Sequence, residues 1–277
     1  MSGGPAPSTV GEQLFARYLQ EQGLPFDFER PRAGKSKVVD FTGPFDGAEY
    51  LFDCKDFEKD DFRTAPGFVG FYDPVEPVRA KIDAVRRKFS EYAEFSCSPV
   101  LCNVRSLVHL DDPTSVLSAM HGDFTFGFMV NTKTGSMVPG TETNFFGNGG
   151  KMTRAGGVVF HTRISALVAV REVPIGRTRH VGYLSQFPSA EWIDRLADDV
   201  PFDPNERGLG VIVYENKDAV RPLSRELFQG NYDERWTYDG AAIECVFRGT
   251  DLQEVRDLEQ RGRERAEARF KERKKGE

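Results

Sequence analysis

Residues 37 to 55 read KVVDFTGPFDGAEYLFDCK. Two short apolar runs, Val38-Val39-Asp40-Phe41 and Tyr50-Leu51-Phe52, flank Thr42-Gly43-Pro44-Phe45-Asp46-Gly47. Gly, Pro and an Asp-Gly pair are turn signals, so the stretch predicts a β-hairpin. Asp40 then lies on the first strand, with Asp53 and Lys55 at the end of the second. Side chains alternate along a strand, so Asp53 and Lys55 share a face and Cys54 takes the other. A register that brings Asp40 alongside gathers two carboxylates and one ammonium in a small patch. Carboxylates are hard oxygen ligands suited to Mg²⁺, and a neighbouring lysine can orient or deprotonate a water. Such a set is equipped for phosphodiester hydrolysis.

Val39-Asp40, a twelve-residue gap and then Asp53-Cys54-Lys55 together resemble the motif of the PD-(D/E)xK nuclease superfamily, which includes type II restriction enzymes and Holliday-junction resolvases. Val39 stands where that family often has proline. The resemblance covers roughly Thr9 to Ser106, a little over a third of the chain. It implies a restriction-endonuclease-like α/β core of helix, three strands, helix and strand. It also implies Mg²⁺ as cofactor, with Mn²⁺ as substitute, held by Asp40 and Asp53, with Lys55 positioning the attacking water. DNA is implied as the substrate ahead of RNA. Many members carry an acid on the first helix that leans into the metal site, a place Glu12 would fill. Glu12 is equally accounted for by a capping box, Thr9-Val10-Gly11-Glu12, with the acid three residues after the cap.

The flanks supply the remaining elements of that order. Val10, Leu14, Phe15, Tyr18 and Leu19 fall on one face of a helix that ends near Gly23. Leu24 to Glu29 reads as a first strand. Arg30-Pro31-Arg32-Ala33-Gly34-Lys35-Ser36-Lys37 is a turn with four cations and no acid. Arg30, Arg32, Lys35 and Lys37 therefore form the one dense unopposed basic patch, and they lead straight into Asp40. Such a patch could grip phosphates beside a scissile bond, or simply be solvated. Asp56 to Pro77 reads as a loop. Val78, Ile82, Val85 and Phe89 are spaced for burial on a helix over 78–95, and Pro99 to Val104 reads as the strand completing the core. Arg79, Lys81, Arg86, Arg87 and Lys88 could extend a phosphate track, but Asp83, Glu91 and Glu94 offset them.

The chain thus divides into a nuclease-like core at 9–110, a β-rich extension for substrate selection or dimerisation at 111–250, and a charged terminal helix at 251–277. In the extension, Pro113 to Met120 predicts a helix, and Phe124 to Val130 a strand. Asn131 to Gly157 predicts a long Gly/Thr-rich loop, and Gly157 to Val173 a strand with a helical turn over 164–170. Leu184 to Leu196 suggests a short helix, and Leu209 to Tyr214 and Ile243 to Phe247 suggest strands. The terminal helix carries nine cations and eight acids, a solvated helix that could dock on a partner chain. There is no internal repeat.

Composition excludes other classes. The 277 residues are 39% apolar, with 23 Phe, enough for an ordinary buried core. A net charge of −6 argues against a generic basic nucleic-acid binder but not against a nuclease, whose metal-holding acids count toward that total. Cysteines 54, 97, 102 and 245 form no CxxC pair, and histidines 109, 121, 161 and 180 have no ligand spacing, so neither zinc nor a disulfide framework is signalled. Gly147-Asn148-Gly149-Gly150-Lys151-Met152 fails the phosphate-loop pattern, because Met152 follows the lysine and Phe145 stands where the first glycine belongs. No signal region or membrane-length apolar run is present, which predicts a cytoplasmic protein with reduced thiols and no membrane partner. The alternative to an enzyme is a non-catalytic interaction protein that retains a nuclease-like fold.

Overall fold

The structure, a computed structural model, describes residues 5–57, 73–103, 110–127, 129–138, 143–147, 149–154, 158–176, 178–179, 203, 205–240 and 242–276. Helix α1 (Val10–Glu21) opens on the expected capping box. The Thr9 hydroxyl accepts the Glu12 N–H at 3.2 Å, and the Glu12 carboxylate accepts the Thr9 N–H at 3.0 Å. The helix ends before Gly23, whose φ of +66° suits a residue without Cβ. Then come β1 (Asp27–Phe28), β2 (Phe41–Phe45) and β3 (Ala48–Asp56), followed by α2 (Val75–Phe89) and β4 (Ser96–Cys102). The order helix, three strands, helix, strand is the expected one.

β2 and β3 form an antiparallel hairpin with Phe41 opposite Phe52 and Phe45 opposite Ala48. Asp46 and Gly47 both have positive φ, 48° and 72°, as a two-residue type I′ turn requires. The turn is therefore tighter than the sequence suggests, and Thr42 to Phe45 are strand. Gly43 and Pro44 act here for packing, not for turning. A Cβ on Gly43 would stand 2.5 Å from the Pro25 carbonyl oxygen. Pro44 is tolerated because β1 pairs only as far as Thr42, leaving that edge of β2 without a neighbour in the sheet.

β4 runs parallel to β3, from Tyr50–Ser96 to Asp56–Cys102. Alternation sorts the two sides of this sheet. Phe15 of α1 packs edge-on against Phe41 and Phe52, at centroid distances of 5.2 and 5.3 Å. The other side buries Leu51, Cys97 and Leu101 beneath Val78, Ile82, Val85 and Phe89 of α2. Gly11 pins α1 to the end of β3: its N–H donates to both carboxylate oxygens of Asp56 at 3.1 Å, and a Cβ there would meet Cys102 Cβ at 2.8 Å. An acid at the N-terminus of a helix also suits the helix dipole.

The later part comprises α3 (Pro113–His121), β5 (Phe124–Gly127), β6 (Thr143–Phe146), β7 (Thr153–Arg154), β8 (Val158–Val159), β9 (Ala166–Val173), β10 (Gly208–Glu215), β11 (Glu234–Tyr238), β12 (Ile243–Arg248) and α4 (Thr250–Gly276). Eight strands form one sheet in the order β1-β2-β3-β4-β9-β10-β11-β12, so the fold is mixed α/β. β9 pairs in parallel with β4, Val100 opposite Val168. Part of the expected extension thus continues the sheet that begins in the core.

Two compact units are present: Met1–Arg171 with Val211–Phe228 and Arg235–Val246, and Glu172–Gly210 with Gln229–Glu234 and Phe247–Glu277. The first holds α1 to α3. The second has its own apolar cluster of Val173, Ile175, Leu252 and Val255, and Arg248 and Arg256 both pair with buried Glu234, at 3.0 and 3.6 Å. Among the described residues, no helix is long and apolar enough to cross a membrane. The four cysteines are free thiols.

Several expectations need correcting. The stretch 131–157 is not one loop, because β6 and β7 lie in it and Val130 bridges to Met137. The helical turn over 164–170 is instead β9, where β-branched Val168, Val170 and Val173 fit a buried strand. β11 was not expected. The suggested helix over 184–196 lies outside the described residues, as does most of the loop over 56–77.

Candidate active site

β3 presents Leu51, Asp53 and Lys55 toward α2, and Phe52 and Cys54 toward α1. One step beyond the Phe41–Phe52 pair, the register sets Asp40 opposite Asp53. Neither carboxylate is solvated in the ordinary way, since Asp53 is 0% and Asp40 8% exposed. Asp40 Oδ2 accepts the Cys54 N–H at 2.6 Å, which ties the two strands together at this level.

Two ammonium groups meet the pair. Lys55 Nζ contacts Asp53 Oδ2 and donates to the Cys54 carbonyl at 2.9 Å. Lys88 Nζ, reaching down from α2, pairs with Asp53 Oδ1 and lies 3.6 Å from Asp40 Oδ1. The sequence alone places Lys88 on an offset surface. Its signal was present all the same: it precedes buried Phe89 and follows buried Val85 by three residues, so it leaves α2 beside the face that covers Asp53.

The electrostatics follow from burial. The Asp40 carboxyl is pushed up to about 7, first by burial and then by the charge of Asp53; Lys88, the Cys54 N–H and Lys55 pull the other way without prevailing. For Lys88, burial alone would favour the neutral amine, but Asp53 and Asp40 outweigh it and hold the ammonium above its usual range. Burial, followed by the surrounding carboxylates, drives the Cys54 thiol well up, so Cys54 is no nucleophile.

Asp40 and Asp53 are the residues that could hold a divalent cation. Asp53 Oδ2 is buried, with the Lys55 ammonium in contact but outside hydrogen-bonding geometry. No group of three or more His, Cys, Asp and Glu side chains able to hold a metal occurs among the described residues. Mg²⁺ asks for less, since it retains several waters and binds through one or two carboxylates. Asp40 and Asp53 would hold it, in competition with Lys88.

The other expected site residues are placed elsewhere. Glu12 Oε2 takes the N–H groups of Ser8 and Thr9, at 2.7 and 3.0 Å, so its carboxylate serves the helix cap. The turn over 30–37 is not an unopposed patch. Arg30 pairs with Asp27 at 2.7 Å, and Arg32 with Glu49 through its two terminal guanidinium nitrogens. Lys35 pairs with Glu94 at 2.5 Å and Lys37 with Glu91 at 3.5 Å. The acids come from β1, from β3 and from the segment just after α2, outside the turn itself.

No family model, curated protein or solved structure matches the chain.

Proposed function

We propose that the protein hydrolyses phosphodiester bonds of nucleic acid, DNA ahead of RNA, with Mg²⁺ or Mn²⁺ as an obligatory cofactor, in the manner of the PD-(D/E)xK nucleases. One observation carries the reading: a buried carboxylate just before β2, Asp40, lies beside a buried carboxylate on β3, Asp53, with a lysine two residues beyond the second. Burying like charges together is costly, as the upward displacement of Asp40 records, and the fold retains them where neutral side chains would pack more cheaply.

Asp40 and Asp53 would bind the cation in a setting from which bulk water is largely excluded. When bound, the cation supplies positive charge to a water and to the phosphoryl oxygens. Lys55 Nζ, anchored on the Cys54 carbonyl and beside Asp53, has a third N–H free to orient the attacking water or to stabilise charge on the transition state. Lys88 offsets part of the carboxylate charge in the metal-free protein. The family resemblance supports the assignment of DNA and of a restriction-endonuclease-like core.

A second reading, a non-catalytic interaction domain of the same fold, has one observation in its favour: two carboxylates met by two ammonium groups are already neutral overall. A cleavage assay separates the two. Purified protein should nick supercoiled plasmid or degrade single-stranded DNA in millimolar Mg²⁺ or Mn²⁺ and stop on addition of EDTA. A folded protein inactive on both substrates in both cations would retire the enzymatic reading.

A further inference from the structure

In sequence, the turn over 30–37 is basic and α2 is balanced. In the fold these roles exchange. Glu91, one of the acids that would offset α2, accepts from the Ser36 N–H and hydroxyl at 2.8 and 2.7 Å as well as pairing with Lys37, and Glu94 is taken by Lys35. Asp83 is taken by Lys151 at 2.5 Å. Arg86 and Arg87, both exposed, are left with no side-chain ion pair or hydrogen bond among the described residues.

These two arginines line a cleft of about 620 Å³ whose other wall includes Lys151 and Phe160. A second cleft of about 250 Å³ shares Arg86 and His161 with the first and adds Arg163. Two arginines without an ion pair, Arg163, which donates one N–H to the Ser90 carbonyl at 2.9 Å, and the Lys151–Asp83 ion pair thus line two adjoining clefts. Lys88, the next residue after Arg87, turns instead to Asp53 and Asp40. Successive helix residues are about 100° apart on a cylinder roughly 10–12 Å across, so the clefts and the carboxylate pair flank one short stretch of α2.

Resting on the nuclease reading above, we infer that the phosphate backbone of DNA runs along these clefts, held by Arg86, Arg87 and Arg163, and not over the Arg30–Lys37 turn. The turn instead holds the fold together. Lys35 Nζ donates to the Glu91 carbonyl, Lys37 Nζ to the Arg87 carbonyl at 2.6 Å, and the Tyr92 hydroxyl to the Lys37 carbonyl. These bonds staple the C-terminal end of α2, whose last carbonyls lack helical partners, to the segment that delivers Asp40.

The test compares the full-length wild type, Arg86→Ala/Arg87→Ala and Arg32→Ala/Lys35→Ala in equilibrium binding of labelled duplex and single-stranded oligonucleotides. Ca²⁺ replaces Mg²⁺ so that binding proceeds without cleavage, and several salt concentrations are used. For Arg86→Ala/Arg87→Ala, the salt slope of log K on duplex should fall by about 0.9 per lost contact. Affinity should drop about tenfold or more, at an unchanged melting temperature. Arg32→Ala/Lys35→Ala should keep the wild-type slope and melt at a lower temperature. A wild-type slope and affinity in Arg86→Ala/Arg87→Ala would overturn the cleft assignment even if the wild type cleaves DNA, as would a wild type that binds neither DNA. Loss of binding in that variant, with no cleavage in any cation, would uphold the cleft assignment and retire the nuclease.

Discussion

Lys55→Ala is expected to lower the rate of DNA cleavage at saturating substrate by about 10²-fold or more, since a positioned proton-handling or charge-stabilising group typically contributes that much. The fold should survive the change. Asp53 would keep the Lys88 ammonium on Oδ1, and the Lys55 side chain is 24% exposed, so its removal leaves no large cavity. Lys55→Arg should recover little, because a planar guanidinium cannot take the place of a compact ammonium fitted between Asp53 and the Cys54 carbonyl. The measurement is single-turnover cleavage in Mg²⁺ beside a thermal melt of each variant. Equal rates in wild type and Lys55→Ala would remove Lys55 from the chemistry.

The second large effect concerns Asp40 in the metal-free protein. Its folded pKa, about 7, lies above the ordinary 3.8 of an aspartate, so the folded state holds the proton more tightly than the unfolded chain. The contribution to stability is then complete below about pH 4 and is lost as pH rises toward about 7. Three pKa units correspond to at most about 4 kcal/mol. Asp40→Asn should abolish this loss, since the amide oxygen can still accept the Cys54 N–H, and the variant should melt above wild type at pH 8. In the wild type, Mn²⁺ at a hundred times its dissociation constant should restore about 2.7 kcal/mol by mass action, and Asp40→Asn should blunt that response. Thermal melts from pH 4 to 8, with and without Mn²⁺, check both statements. A strongly destabilised Asp40→Asn, together with a wild type indifferent to Mn²⁺, would make Asp40 only a structural acceptor.

What the sequence could show was local. The capping box at Thr9 and Glu12, the periodic burial of Val78, Ile82, Val85 and Phe89, and the alternation that puts Asp53 and Lys55 on one face all depend on neighbours a few residues apart. Each of these is found in the structure. The tertiary partners were hidden. Lys88 reaches Asp53 across 35 positions of sequence, and Lys35 reaches Glu94 across 59, so the one site lysine on α2 looked like surface and the paired turn looked bare. Gly43 and Pro44 misled because backbone approach and an open strand edge require the same residues as a turn. The long stretch over 131–157 hid its strands because two- to four-residue pairings such as Thr153–Val159 are too short to establish a period.

In the proposed mechanism Asp40 and Asp53 together hold a divalent cation. The direct measurement is anomalous scattering from crystals of the protein soaked in Mn²⁺. An anomalous peak is expected between the two carboxylates, with Lys88 Nζ moved off Asp53 Oδ1. Crystals that show no such peak at millimolar Mn²⁺, with Lys88 still paired to Asp53 and Lys55 beside it, would contradict that mechanism.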